Sequence, residues 1–283
     1  LLLSPAYIQA FNPSDSRTRD WGSYAIRRAA RILPAYWLAF AAVLIVGALA
    51  ATPDGVGNLR KVLIHLFVGQ ALFLEQYQAF SQTWSLTTEV TFYLLVPVIS
   101  WWILRSSRRS THVLRSGLRA LGVVTVLGLM AQAAALAISE SGHATAAAAL
   151  GTSALRHAAW FAAGAAVALL VQAERFGKLT SNNVSARGCQ WLLGQRRSTL
   201  LLLGLAVFAV AGTSLAGPRD LSSPTLAEAV VKELLYALFA LLMLLVAVRP
   251  IRAGSALDGF ASSGLNQWIG NTSYGVFLWH LLA

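Results

Sequence analysis

The sequence predicts an all-α integral membrane protein, in which several apolar helices form a polytopic bundle. Of its 283 residues, 57% are hydrophobic and only 12% are charged, about half the ~25% typical of an ordinary soluble domain. The mean hydropathy is +0.61. This composition excludes a water-soluble globular domain and a disordered chain, and the single cysteine excludes a disulfide scaffold.

Each long apolar run is predicted to be a helix, because a backbone in lipid must satisfy its own hydrogen bonds. A helix needs roughly 20 mainly apolar residues to cross ~30 Å of hydrocarbon. Candidate runs lie at about 33–51, 59–74, 84–104, 119–138, 150–172, 198–216, 229–248 and 266–283. The chain begins and ends inside apolar stretches, so we expect a fragment of one domain over residues 1–283, with the first helix missing and the last helix cut.

The net charge of +11 is concentrated in the connectors between these runs. In a soluble protein such a charge would suggest a nucleic-acid partner. Basic loops beside membrane spans explain it here, so no nucleic acid is expected. Because positive loops stay in the cytoplasm, the sequence predicts a multi-pass protein of the cell membrane with four cytoplasmic connectors, 12–32, 105–119, 173–197 and 249–264.

These connectors can share one face only if the run at 59–74 does not cross the bilayer. We therefore predict that residues 52–83 form a non-cytoplasmic excursion, re-entrant or lying on the interface, which contains His65 and Glu75. The other runs then form six complete crossings and a truncated seventh. The alternative is that 59–74 crosses and that one basic loop breaks the rule.

The first segment that could carry chemistry is rich in arginine and precedes the first run. Two of its arginines, Arg28 and Arg31, share one helix face, and Pro34 suits the first turn of the following span. Two guanidiniums at the cytoplasmic mouth suit a phosphate-bearing ligand, because each offers a fork of donors. Alternatively, these arginines only anchor the helix at lipid headgroups.

The second segment places a carboxylate inside an apolar run. An ionised Glu89 would cost ~2.5 kcal/mol or more there, so it should face the protein interior, be paired or hold its proton. Ser85, Glu89 and Tyr93 recur at i, i+4 and i+8, so they share one helix face, flanked by Thr88. This stripe could hydrogen-bond a substrate hydroxyl or fix a catalytic partner. Alternatively, it holds two helices together.

The third segment is the last run, which carries polar residues near both ends, among them Tyr274 and His280. On the predicted topology His280 and Glu89 lie at similar depth and could meet in one bundle. Imidazole is the usual general base at neutral pH. Trp279 and His280 also suit an interfacial belt, and the residues alone leave both interpretations open.

Two weaker pairs of polar residues lie in other runs. Arg156 and His157 could reach an internal cavity or lie near the outer interface, and Lys232 and Glu233 could pair locally. The sequence shows no phosphate-cradling glycine loop, no zinc-ligand spacing and no nucleophile elbow. No metal is therefore expected.

In this order, the three segments resemble the acyltransferase-3 family of bacterial membrane O-acyltransferases. The motifs that carry the resemblance are RxxRxxPxYW, WSLxxExxFYxxxP and SYxxFxWH, which begin at Arg28, Trp84 and Ser273. The spacing inside each motif is specific, whereas the intervening runs match only as apolar helices. Together the motifs extend the resemblance over essentially the whole chain.

The resemblance implies a roughly ten-helix protein that takes an acyl group, often acetyl, from cytoplasmic acyl-CoA. The group passes to a hydroxyl of a carbohydrate, glycolipid or similar acceptor, and Arg28 and Arg31 are implied to bind the acyl-CoA phosphates. The residues implied in the buried active site are Ser85, Glu89, Tyr93, Tyr274 and His280. The family's first helix normally adds an arginine and the favoured general base, a histidine. Since that helix is missing, an inactive fragment of an active parent is one expectation.

Two other functions fit parts of the sequence. An intramembrane carboxylate and a histidine in a multi-span bundle also suit a transporter or flippase, although no internal repeat is visible. A non-catalytic homologue would fit the missing first helix. We place the acyltransferase ahead of both, because three ordered motifs indicate it.

Overall fold

The computed structural model describes residues 2–15, 19–49, 58–108, 112–179, 184–218, 224–249 and 256–280. All regular secondary structure in these ranges is helical, as the sequence predicted. The α-helices are α1 Ser4–Phe11, α2 Trp21–Leu49, α3 Leu59–Leu66, α4 Gln70–Phe73, α5 Trp84–Ser107, α6 Val113–Glu140, α7 Ala144–Gly151, α8 Ala158–Arg175, α9 Val184–Gly194, α10 Arg197–Ala211, α11 Leu226–Val248, α12 Ala256–Ser262 and α13 Gly264–Trp279. Two 3₁₀ helices lie at Gln78–Thr83 and Ser214–Ala216.

Four helical segments in the described ranges are long and apolar enough to cross a membrane. They are α2, α5 together with the preceding 3₁₀ helix, α6 and α11. Helices α9 and α10 would add a fifth if they form one span, which is bent by 105° at a short break. The membrane class predicted from the sequence is therefore supported, whereas the count of six complete spans and a truncated seventh is not confirmed.

One predicted span, at 150–172, is interrupted by hydroxyl side chains. Helix α7 ends at Gly151, and α8 begins only at Ala158. In between, the hydroxyls of Thr152 and Ser153 donate to backbone carbonyls of the preceding turn, at 3.0 and 2.7 Å. Such side-chain bonds compete with the helical ladder, so this apolar run forms two helices rather than one.

Two further runs form helices shorter than predicted. In the run at 198–216, α10 ends at Ala211, and its 15 residues reach about 22 Å, less than the ~30 Å hydrocarbon core. In the run at 266–283, α13 has 16 residues and ends at Trp279. Residues 281–283 lie outside the described ranges.

The first spanning helix begins earlier than the hydropathy run predicted. Helix α2 starts at Trp21, because the Asp20 carboxylate accepts a hydrogen bond from the Gly22 amide (2.9 Å) and caps the first turn. The interpretation of Pro34 as a first-turn residue is wrong, since Pro34 lies inside α2. Arg28 and Pro34 therefore sit on one continuous helix.

The excursion predicted at 52–83 contains only short helices over its described part, residues 58–83. Helix α3 has eight residues, about 12 Å, which is too short to cross the bilayer. The Tyr36 hydroxyl donates to the His65 carbonyl (2.9 Å) and the Thr87 hydroxyl donates to the Val68 carbonyl (2.8 Å). These bonds attach the excursion to α2 and α5.

Contacts link three of the basic connectors, 105–119, 173–197 and 249–264, to one another and to the end of α1. The rings of Phe11 and Phe176 stack at 6.1 Å, and Leu114 packs against the same apolar cluster as Phe11. Arg197 donates to the Arg249 carbonyl (2.5 Å). Arg17, Arg109 and Arg252, which also contributed to the topology prediction, lie outside the described residues.

Candidate active site

The carboxylate stripe of α5 is the centre of the candidate site. Glu89 and Tyr93 are both half-buried, and the Tyr93 hydroxyl donates a hydrogen bond to Glu89 Oε1. Helical spacing of four residues places them one turn apart, as the sequence predicted. Ser85 lies on the same face, but its hydroxyl donates to the Gln82 carbonyl (3.1 Å) and not to Glu89.

Arg28 of α2 lies against this stripe. Its Cζ atom is 5.6 Å from the centroid of the Tyr93 ring and 5.7 Å from that of the Tyr24 ring. The Tyr24 hydroxyl donates to the Tyr93 carbonyl (3.3 Å), which adds a direct bond between α2 and α5. The motif that begins at Arg28 and the motif that contains Glu89 therefore meet at one tyrosine ring.

The Arg28 guanidinium has an unused donor. Its Nε atom is buried and has no hydrogen-bond partner among the described residues. A buried donor without a partner costs free energy, and a phosphate or carboxylate oxygen is a favourable acceptor for it. Arg31 lies three residues further along α2 and is exposed.

Tyr274 of α13 adds a third side to the site. Its hydroxyl donates to the Ile32 carbonyl of α2 (3.1 Å). Tyr274 lies close enough to Glu89 and Tyr93 to interact with them electrostatically, and Tyr93 and Tyr274 pack against the same apolar cluster. Helices α2, α5 and α13 therefore converge around Glu89.

His280 is not brought to Glu89 by any contact of the described residues. It is exposed, and its Nδ1 atom lies 2.8 Å from the Phe277 carbonyl. The end of α13 is nevertheless attached to the start of α5, because Gln82 Nε2 donates to the Leu278 carbonyl (3.0 Å). The predicted meeting of the two titratable groups is thus not seen, although both helix ends lie side by side.

A buried polar network that the sequence did not predict as a unit lies beside α5. Arg156 Nε donates to Gln132 Oε1 of α6, and Arg156 interacts electrostatically with Glu233 of α11. Glu233 is only 3% exposed, and its Oε1 atom has no partner among the described residues. The predicted local pairing of Glu233 with Lys232 is not seen in these ranges. The sequence did contain a signal for this network. Arg156 and Glu233 are ionisable residues in two different apolar runs, and such residues tend to pair across a bundle.

Aromatic rings connect this network to α5. The His157 ring, which is 2% exposed, lies 5.6 Å from the Trp84 ring and 4.4 Å from the Trp160 ring. On the next turn of α5, the Thr88 hydroxyl donates to the Thr152 carbonyl (2.7 Å). The start of α5 is therefore also held by the segment between α7 and α8.

His65 is the other buried histidine of the described residues. It is fully buried, its ring stacks on Phe40 at 5.2 Å, and its Nε2 atom has no partner among the described residues. Burial lowers the pKa of His65 below its ordinary value of 6.5. The described residues contain no group of three or more His, Cys, Asp and Glu side chains that could hold a metal ion.

Apolar spanning helices that enclose a carboxylate, two tyrosines and a half-buried guanidinium define a membrane protein with a polar intramembrane site. The acyltransferase-3 family model, described as an acyltransferase domain, matches residues 1–283, the whole chain. The chain therefore belongs to this family and is an acyltransferase by that membership, which confirms the resemblance found in the sequence. No curated protein and no solved structure matched the chain in the same comparisons.

Proposed function

We propose that the protein transfers an acyl group, acetyl in the first instance, from acyl-CoA to a hydroxyl of a saccharide, glycolipid or similar acceptor. Membership of an acyltransferase family supports the reaction class. The observation that carries the assignment of the site is the contact of Arg28 with Tyr93, whose hydroxyl is bonded to Glu89. Arg28, the candidate anion-binding residue, and Glu89, the candidate reacting residue, thus both contact Tyr93.

At the donor side, Arg28 and Arg31 bind the phosphates of acyl-CoA. The unpartnered Nε atom of Arg28 supports this role, because guanidinium donors match phosphate oxygens in geometry and charge. Arg31, exposed on the same helix, extends the positive surface outward. In this proposal the basic connectors face the cytoplasm, where acyl-CoA is made, and the protein resides in the cell membrane.

At the acceptor side, Glu89 accepts a hydrogen bond from the acceptor hydroxyl. The hydroxyl oxygen attacks the thioester carbonyl carbon, the carbon–sulfur bond breaks, and CoA leaves as the thiolate. The hydroxyl proton passes to the Glu89 carboxylate, which acts as the base and then returns it to the departing thiolate, and a positioned base accelerates such steps by ~10²–10⁴-fold. Tyr93 holds the Glu89 carboxylate in place. In this proposal Ser85 and Tyr274 line the acceptor site, and His280 lies at its outer edge, where Gln82 bonds to the end of α13.

The experiment measures transfer of radiolabelled acetyl from acetyl-CoA into the lipid and polysaccharide fractions of membranes that contain the protein. Glu89→Gln should lower the rate about a hundredfold, and Arg28→Gln should raise the KM for acetyl-CoA at least tenfold. Glu140→Gln and Arg27→Gln are matched controls, because both residues are exposed and lie outside the site. Incorporation that is unchanged in Glu89→Gln and in Arg28→Gln would refute the assignment.

A further inference from the structure

A cavity separate from the Glu89 stripe lies between α1, α5, α6 and α8. Its volume is about 510 Å³, within the ~300–1,000 Å³ range of small-molecule pockets. Its walls are almost entirely apolar, and the largest side chains that line it are Tyr7, Phe92, Trp101, Trp102 and Phe161. A cavity of this kind suits a hydrocarbon chain better than a polar molecule.

The cavity is long and has one polar end. Its lining residues on α5 run from Phe92 to Ser107, a distance of about 22 Å along the helix axis. The polar end is formed by Ser106, Ser107 and Ser116, where α5 ends and α6 begins. At the other end, the rings of Phe92 and Phe161 stack at 4.1 Å.

The surface around the polar end is strongly basic. Arg105, Arg108, Arg115 and Arg119 are all exposed, and the sequence contains no Asp or Glu from residue 90 to residue 139. The Arg105 Cζ atom lies 5.5 Å from the ring of Trp101, which lines the cavity. The charge at this mouth is therefore positive, because Glu89 and Glu140, the acidic residues of α5 and α6, both lie outside this stretch.

Two tryptophans place the mouth at the membrane interface. Trp101 and Trp102 are 59% and 46% exposed on α5, one turn before Arg105. Exposed tryptophans next to arginines at the end of an apolar helix are typical of the headgroup level of a bilayer. The apolar cavity then lies at the depth of the lipid tails, and its basic mouth lies at the depth of the phosphates.

We propose that this cavity binds one acyl chain of an anionic phospholipid, with the lipid phosphate held by the arginines around the mouth. Charge complementarity selects this occupant, because basic pockets between helices on the cytoplasmic side bind acidic headgroups. The lipid is a resident ligand and not the acyl donor. The lining of the cavity extends to the end of α5 at Ser107 and contains neither Arg28 nor Glu89, both of which contact Tyr93.

The experiment is native mass spectrometry of the purified protein with added dioleoylphosphatidylglycerol or dioleoylphosphatidylcholine, which share the same tails. The anionic lipid should bind at least tenfold more tightly. Arg105→Gln with Arg115→Gln should weaken that binding about twentyfold, since each basic residue near the headgroup contributes about a factor of five. Arg187→Gln, an exposed arginine of α9, should leave it unchanged.

A second variant tests the acyl chain directly. Ala120→Phe narrows the cavity and should weaken binding of both lipids. If this variant fails to fold, the arginine variants still decide the result, because their side chains are exposed. Equal binding of the two lipids, or binding insensitive to the arginine variants, would overturn the proposal. Displacement of bound phosphatidylglycerol by an equimolar amount of palmitoyl-CoA would also overturn it, in favour of a donor-chain site.

Discussion

Arg28 lies over the ring of Tyr93, with 5.6 Å between its Cζ atom and the ring centroid. The hydroxyl of the same ring is hydrogen-bonded to Glu89. Tyr93 therefore contacts both a cation on α2 and a carboxylate on α5. A change at one of these groups is therefore expected to alter the position of the other.

Tyr93→Phe removes the hydrogen bond to Glu89 and leaves the ring beneath Arg28. A hydrogen bond to a charged group contributes ~1.5–3 kcal/mol, so we expect kcat for acetyl transfer to fall by about ten- to a hundredfold. The KM for acetyl-CoA should change little, because the contact with Arg28 is kept. Steady-state kinetics of the purified protein would measure both. Tyr236→Phe on α11 is the matched control, and a Tyr93→Phe enzyme with its full kcat would contradict the prediction.

Arg28→Lys keeps a positive charge at the mouth but replaces the guanidinium fork by a single ammonium. Because phosphate binding by arginine depends on that fork, the KM for acetyl-CoA should lie between those of the unmodified protein and Arg28→Gln. The difference in KM between Arg28→Lys and Arg28→Gln should shrink as the salt concentration rises, because salt screens the charge that lysine retains. If Arg28→Lys and Arg28→Gln both kept the KM of the unmodified protein, phosphate binding by this side chain would be excluded.

Arg156→Met leaves Glu233 buried without its cation. Removing one partner of a buried pair typically lowers the free energy of unfolding by about 3–5 kcal/mol, whereas removing both charges is far less harmful. We therefore expect Arg156→Met combined with Glu233→Leu to be more stable than Arg156→Met alone. Unfolding in mixed micelles, followed by tryptophan fluorescence, would measure this.

Arg175→Met, an exposed arginine at the end of α8, is the control for these unfolding measurements. It should change the free energy of unfolding only slightly. If the double variant lost as much free energy of unfolding as Arg156→Met and Glu233→Leu lose together, the two side chains would act independently and the prediction would be wrong.

His65→Phe should flatten the dependence of stability on pH in mildly acidic solution. Burial lowers the pKa of His65 in the folded state below the ordinary value of 6.5, so the unfolded chain binds a proton that the folded chain refuses. The contribution of the neutral His65 side chain to the free energy of unfolding is complete above about pH 6.5. It is lost as the pH falls toward the pKa of His65 in the folded state. Thermal unfolding of the detergent-solubilised protein between pH 7.5 and 5 would measure the slope.

Phenylalanine preserves the stacking on Phe40 and removes the titrating ring. His143→Phe serves as the comparison, because His143 is exposed and should leave the slope as it is. A slope that is the same with and without His65 would rule out this histidine as its source.

Local spacing was sufficient to predict the stripe on α5. Residues four apart lie on one face of any α-helix, so Glu89 and Tyr93 could be placed together before any packing was known. The same rule also placed Ser85 on this face, but it could not show that the Ser85 hydroxyl bonds to the Gln82 carbonyl. That bond depends on the 3₁₀ turn that precedes the helix.

Helix limits were predicted less well than helix positions. Hydropathy locates apolar residues but does not register the Asp20 cap that starts α2, or the hydroxyls of Thr152 and Ser153 at the break before α8. A run of apolar residues therefore predicts which segment can lie in the membrane, but not at which residues the helical hydrogen bonds begin and end.

Composition and helical periodicity were enough to establish a polytopic α-helical membrane protein, its basic connectors and the polar face of α5, because these properties follow from each segment alone. The contacts of Arg28 with Tyr93, of Tyr274 with α2 and of Arg156 with Glu233 depended on how the helices pack. They join side chains from distant segments, and no periodicity within one helix specifies the rotation of its neighbour. Packing of side chains across the helix interfaces supplies that information.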